Sequence, residues 1–300
     1  MSGLIGGMRR RSAMAALGVL AVGKAHLARA ASVPVALRIV SVGGALTEMI
    51  YALNAEKDLV GVDTTSLYPE VARTLPSVGY ARALSAEGLL ALAPTQVIAT
   101  EDAGPPAVLR QLGAVGVPLT ILPANHRFEG MLDRLARVGA IAARTAEAAR
   151  LTQVLRNEWQ VAEAQVAARS AARRNKPPKV LFVLSHSISQ VMVAGNDTNA
   201  KAMIEYAGGV NALTGFSGFK PLTPEAVIAA APDVVLGTEQ GLKAAGGPEG
   251  LLKLPGLADT PAGRSQRVVA LEAMLLLGFG PRLPLAVRQL DAAFAAVVRA

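Results

Sequence analysis

The sequence has 300 residues, 52% of them apolar, which is ample for a packed core and long enough for two domains. Its net charge is +8, but five basic residues and no acid fall in the first thirty positions, leaving 25 basic and 22 acidic residues, or +3. That balance, with no basic stripe interleaved with aromatics, argues against a nucleic-acid surface, and the absence of cysteine excludes a disulfide framework or a thiol for lipid attachment.

Taken in chain order, the first feature is an export segment over residues 1–30. Arg9, Arg10 and Arg11 form its charged region and "AMAALGVLAV" its apolar region. Ala28-Arg29-Ala30 makes a small-x-small cleavage site, so cleavage is expected after Ala30. The apolar run is far short of the roughly 20 residues that span a bilayer. The arginines ahead of Ser12 suggest a twin-arginine route, and the mature chain is expected in the periplasm.

"LRIVSVGGALTEMIYAL" then predicts a buried strand over Ile39 to Val42, a glycine turn, and a helix from near Thr47. "KDLVGVD", "VIAT" and "PLTILP" read as further strands, the last two separated by the helical "PAVLRQLGAVG". Such alternation predicts a parallel α/β layer. From Phe128 to about Arg174 the chain has no proline and is rich in Ala, Arg, Leu and Glu. Weak breaks at Gly139 and near Thr145 predict a short helix followed by one of about 28 residues, roughly 40 Å long. "NKPPK" ends it, and alternation resumes with "VLFVLS", "NAKAMIEYAGG", "PEAVIAAA", "DVVLGT" and "RVVAL" before a last helix from about Leu283. The expected organisation is an N-terminal α/β lobe over 31–144, an interlobe helix over 145–174 and a C-terminal α/β lobe over 175–300.

An internal repeat supports that division. "SAEGLLALAPTQVIAT" (85–100) lies over "TPEAVIAAAPDVVLGT" (223–238) without a gap, at a constant offset of 138. Each copy begins with a hydroxyl residue at the N-cap, Ser85 or Thr223, and has a glutamate two places on, Glu87 or Glu225. Either glutamate alone is explained by the helix dipole. As a pair, one per lobe, they suit a partner that has its own two-fold and a basic residue on each side.

The whole mature chain, from "RIVSVGGALTEMIYAL" to "LLLGFGPR", resembles the substrate-binding proteins whose two lobes are joined by one rigid helix, which serve vitamin B12, siderophore and heme importers. The resemblance implies two similar Rossmann-like lobes with parallel sheets, a ligand in the interlobe cleft and a permease held by Glu87 and Glu225. Within that class "VGYARALSAEGLLAL" is most similar to the heme-binding members, whose signature tyrosine is the axial iron ligand. Tyr80 stands in that place. Phenolate is a hard donor suited to ferric iron, and tyrosine is a recognised heme ligand. A free phenol titrates near pH ~10, so ligation at neutral pH needs the metal and a nearby positive charge. If residues 78–82 are extended, Tyr80 and Arg82 project to one side, and Arg82 would bond the phenolate or a heme propionate. On the residues alone, a tyrosine at a lobe rim, ring packed and hydroxyl wet, is the stronger reading, because one Tyr-x-Arg is a weak motif.

The resemblance places a second ligand, if there is one, on the other lobe, and His186 in "VLFVLSHSISQVMVAG" is expected just past a strand end. Arg282 in "GFGPR" matches a pattern of the heme group and is expected either at the ligand or at the lobe interface. His126 and Tyr206 carry no specific assignment. The nearest alternative is the same fold with a ferric siderophore or vitamin B12. A zinc or manganese site is disfavoured because only His126 and His186 follow the export segment. An enzyme is the reading of a different class, but "SVGGAL" is neither a Walker turn nor GxGxxG, and "GFSGF" lacks the nucleophile-elbow spacing.

Overall fold

A computed structural model of the chain describes residues 36–123, 125–173, 176–187 and 190–299. The expected export segment, residues 1–30, lies outside the described residues.

Four short strands, β1 (Ile39–Val42), β2 (Leu59–Val62), β3 (Gln96–Thr100) and β4 (Leu119–Leu122), form one sheet in the order β2-β1-β3-β4. All its pairings are parallel. β1 is buried at all four positions, Ser41 included, and β3 at its three central ones, as a sheet covered on both faces requires. The helix after β1 spans Gly44–Ala52, beginning three residues earlier than the sequence suggested. Gly43, at φ 123°, turns the chain sharply out of β1, and the Gly44 N–H donates to the Thr65 hydroxyl at 2.9 Å.

The second sheet comprises β5 (Lys179–Ser187), β6 (Gln190–Ala194), β7 (Val210–Asn211), β8 (Phe219–Pro221), β9 (Val234–Thr238) and β10 (Val268–Leu271). Its order is β10-β9-β5-β6-β8, with β7 also on β5. The β10, β9, β5 and β7 pairings are parallel, as expected, but β6 and β8 add antiparallel pairs. The cause is local. Only two residues separate β5 from β6, too few for the crossover that parallel neighbours need.

The repeat is visible in backbone detail. The Ala86–Leu90 and Pro224–Ala230 helices are capped by Ser85 and Thr223, whose side-chain oxygens accept from the N–H groups of Gly88 and Ala226. Beyond each helix, Ala93 and Ala231 adopt left-handed conformations, φ 44° and 47°, ahead of Pro94 and Pro232. Such angles are uncommon outside glycine, so their recurrence at one offset marks a shared turn rather than a chance similarity of letters.

Between the sheets run the helices Phe128–Ile141 and Thr145–Ala172, the second of 28 residues. A Cβ on Gly139 would come within 2.5 Å of Ala148 Cβ, so the glycine lets the two helices pack closely. The long helix places Trp159 between the lobes. Its ring stacks on Phe128 at 4.5 Å and meets Tyr206 edge-on at 4.8 Å. One apolar cluster runs without a break from Ile39 and Leu46 through Leu135 and Trp159 to Phe182 and Phe294. Each lobe adds a smaller cluster of its own. The final helix, Leu283–Arg299, closes the second lobe.

Candidate functional site

The cleft lies where the first sheet reverses its winding, between β1 and β3, at the carboxyl ends of the strands. Open α/β sheets take their ligands at this point. Gly43 and Gly44 follow β1, Thr65 follows β2, and Glu101 and Asp102 follow β3; all line a cavity of about 390 Å³. Leu184, Asp197–Asn199, Phe219, Met274 and Leu277 supply the opposite wall. The volume falls within the range of small-molecule sites, roughly 300–1,000 Å³.

Asp63 organises the near wall. It is buried, and its carboxylate accepts from the N–H groups of Gly43 and Thr65 and from the hydroxyls of Thr65 and Ser66, at 2.7–3.1 Å. Four donors compensate for the loss of water around that charge. The two loops are thereby fixed to one another, and the cleft wall is preformed.

Tyr80 stands at the rim, 47% exposed, and both Tyr80 and Arg82 line the cavity. Their backbone is not one extended run. Tyr80 is extended, but Ala81–Ala83 form a 3₁₀ turn, closed by the Ala83 N–H donating to the Tyr80 carbonyl at 2.8 Å. Arg82 donates through Nε to Asp102 Oδ2 at 3.0 Å, and Thr100 donates to Asp102 Oδ1 at 2.6 Å. Burial alone would raise the Asp102 pKa. The hydrogen bonds from Thr100 and Arg82 outweigh it and hold the carboxyl below the usual aspartate value. In this structure Arg82 is therefore held at the cleft by a carboxylate.

His186 lies within β5, not beyond it, at the irregularity in register between Ser185 and Ser187. Its side chain lies outside the described residues. Glu87 and Glu225 are both exposed in the first turn of the repeated helices, one on each lobe.

Arg282 sits away from the cleft, at the joint between lobes. Its Nε and Nη2 donate to Glu48 Oε2 at 3.0 and 2.8 Å, and its backbone N–H donates to Glu48 Oε1 at 3.1 Å. The guanidinium also lies 3.6 Å from the Tyr68 ring centroid. Burial raises the pKa of Glu48, an effect that Arg282 opposes. A buried cation, Arg134, donates to the Phe279 carbonyl at 2.7 Å, while its Nε has no hydrogen-bond partner among the described residues. Burial lowers its pKa to about 10, so Arg134 stays cationic at neutral pH.

Sequence reasoning missed two participants. His126 lines the cleft, its ring edge-on to Phe279 at 6.0 Å, and Tyr206 accepts the Phe128 N–H at 3.2 Å across the joint. Neither stands in a motif. The one hint was the scarcity of aromatic and histidine residues along the chain.

Residues 39–275 match the model of a family described as periplasmic binding protein. In structure the chain is similar to the periplasmic heme-binding protein BhuT in complex with two hemes, at 47% identity and a TM-score of 0.82 over 87% of this chain and 98% of that one. It is likewise similar to the apo form of the periplasmic heme-binding protein RhuT from Roseiflexus sp. RS-1. There the identity is 43% and the TM-score 0.83, over 88% and 100% of the two chains. A vitamin B12-binding protein of Yersinia pestis (strain Pestoides F) is 33% identical over 102 residues, covering 33% of this chain and 36% of that protein.

Proposed function

We propose, from the premise that this chain belongs to the periplasmic binding protein family, that it captures heme in the interlobe cleft and delivers it to an ATP-driven importer of the inner membrane. The observation that carries the reading is Tyr80, a half-exposed phenol at the rim of a cleft whose far wall includes Phe219, Met274 and Leu277. Apolar walls suit the faces of a porphyrin. The phenolate oxygen suits its ferric iron. Arg82, held at the cleft by Asp102, would then bond the phenolate or a propionate, with His186 a candidate second ligand from the other lobe. The export segment would place the protein in the periplasm, and Glu87 and Glu225 would meet basic residues of the permease.

The local match to a vitamin B12-binding protein favours cobalamin as the second reading, with a ferric siderophore behind it. Tyr80 separates them, since a corrinoid has no use for a phenolate at the rim. We read the protein as a carrier rather than an enzyme.

A hemin titration of residues 31–300, followed by visible absorption, tests the proposal. The expected result is saturable binding with a high-spin ferric phenolate spectrum that Tyr80→Ala abolishes. Binding that survives the substitution would keep heme and move the iron to another residue. No saturable binding would sink the heme reading and leave cobalamin or a siderophore.

A further inference from the structure

Leu90 and Ile228 are large aliphatic side chains left in water, 36% and 47% exposed. They stand 138 positions apart, the offset that relates Glu87 to Glu225. No other two large apolar side chains exposed among the described residues are related in this way. Neither is needed by the core, because Leu89 and Val227, one position earlier, are fully buried and anchor each helix. Residues three apart on a helix lie side by side. Each lobe therefore presents one carboxylate flanked by one aliphatic side chain, in the same geometry.

An exposed ion pair contributes little affinity and is screened by salt. Charge complementarity steers two surfaces together and sets their register. What holds them is apolar area removed from water, concentrated in a few side chains. An occupant of this surface must have its own two-fold and offer, twice, a basic group beside an apolar seat. Anionic lipid is disfavoured by the glutamates, and so is a second copy of this chain docking through the same face, since it would oppose like charges. The helices also start close to the cleft mouth along the chain, Ser85 three residues after Arg82 and Thr223 four after Phe219.

We infer that Leu90 and Ile228 are the apolar half of the docking surface, each entering a hydrophobic seat on one of two symmetry-related membrane subunits. The inference rests on the permease reading of Glu87 and Glu225. Its test measures the dissociation constant of the mature protein for its cognate importer in nanodiscs, at low and at high salt. Leu90→Ala and Ile228→Ala should each weaken binding by about five- to tenfold at both salt concentrations. The double variant should approach the product of the two, because the sites are far apart. Hemin binding by these variants should match the parent. Glu87→Gln with Glu225→Gln should weaken binding at low salt and much less at high salt. A double alanine variant that docks as tightly as the parent would overturn the inference while leaving the permease reading intact. A parent that does not bind the importer at all would remove both.

Discussion

Arg282→Met removes two of the three hydrogen bonds that reach the Glu48 carboxylate across the joint and leaves only the backbone N–H to Oε1. Glu48 is 5% exposed, so its charge then has little water to fall back on. Stripping one partner from a buried pair costs about 3–5 kcal/mol. The retained backbone bond and the option of protonating Glu48 place this variant near the lower end, about 3 kcal/mol. For a chain of this size that corresponds to a fall in Tm of about 6–12 °C. The pH dependence follows from the direction of the Glu48 shift. Its folded pKa is raised above the ordinary value of 4.5 by burial, and Arg282 pulls it back down. Without the arginine the folded value rises further. A carboxyl raised on folding stabilises fully below its unfolded pKa and loses that contribution as pH rises through the folded pKa. The deficit of the variant should therefore be small near pH ~4 and grow toward neutrality. Urea unfolding at acidic and neutral pH measures it. A deficit under about 1 kcal/mol at neutral pH, or one equal at both, would mean that Arg282 does not hold the Glu48 charge in the joint.

Three further outcomes follow from the same geometry. Trp159→Ala empties the aromatic joint between Phe128 and Tyr206 and should cost about 3–5 kcal/mol by chemical denaturation, with both lobes melting together because one apolar cluster serves both. Gly44→Ala would drive its Cβ into the Thr65 carbonyl, so the cleft wall must shift; heme affinity should fall alongside Tm, and an unchanged affinity would contradict the preformed wall. Asp102 has a lowered pKa, so its hydrogen bonds from Thr100 and Arg82 stabilise above the unfolded value of 3.8, and that contribution is lost as pH falls through the folded one. Asp102→Asn should accordingly reduce stability at neutral pH and converge on the parent in acid.

What the sequence disclosed, and what it withheld, divides along contact distance. Strands such as Ile39–Val42 and Val234–Thr238 are short, mainly aliphatic runs between turn residues, and the repeated capped helices carry their signal within sixteen letters. The long helix was legible because it lacks proline over its whole length. The joint was not. Tyr206 bonds a residue 78 positions away, Arg134 reaches 145 and Arg282 reaches 234, and no local pattern encodes such pairings. The antiparallel β6 and β8 were missed for a different reason: an apolar run announces a strand but not its direction. Tyr80 was singled out only through a signature that resembles a family, and Asp102, the partner of Arg82, lies twenty residues beyond that arginine.

Everything proposed for this cleft turns on whether its iron rests on Tyr80. Resonance Raman spectroscopy of the hemin complex, made with ring-deuterated tyrosine, tests it most directly. Ligation by Tyr80 gives iron–phenolate modes that shift on deuteration and disappear in Tyr80→Phe. Phenolate modes that persist in Tyr80→Phe, or a saturated complex that shows none, would contradict it.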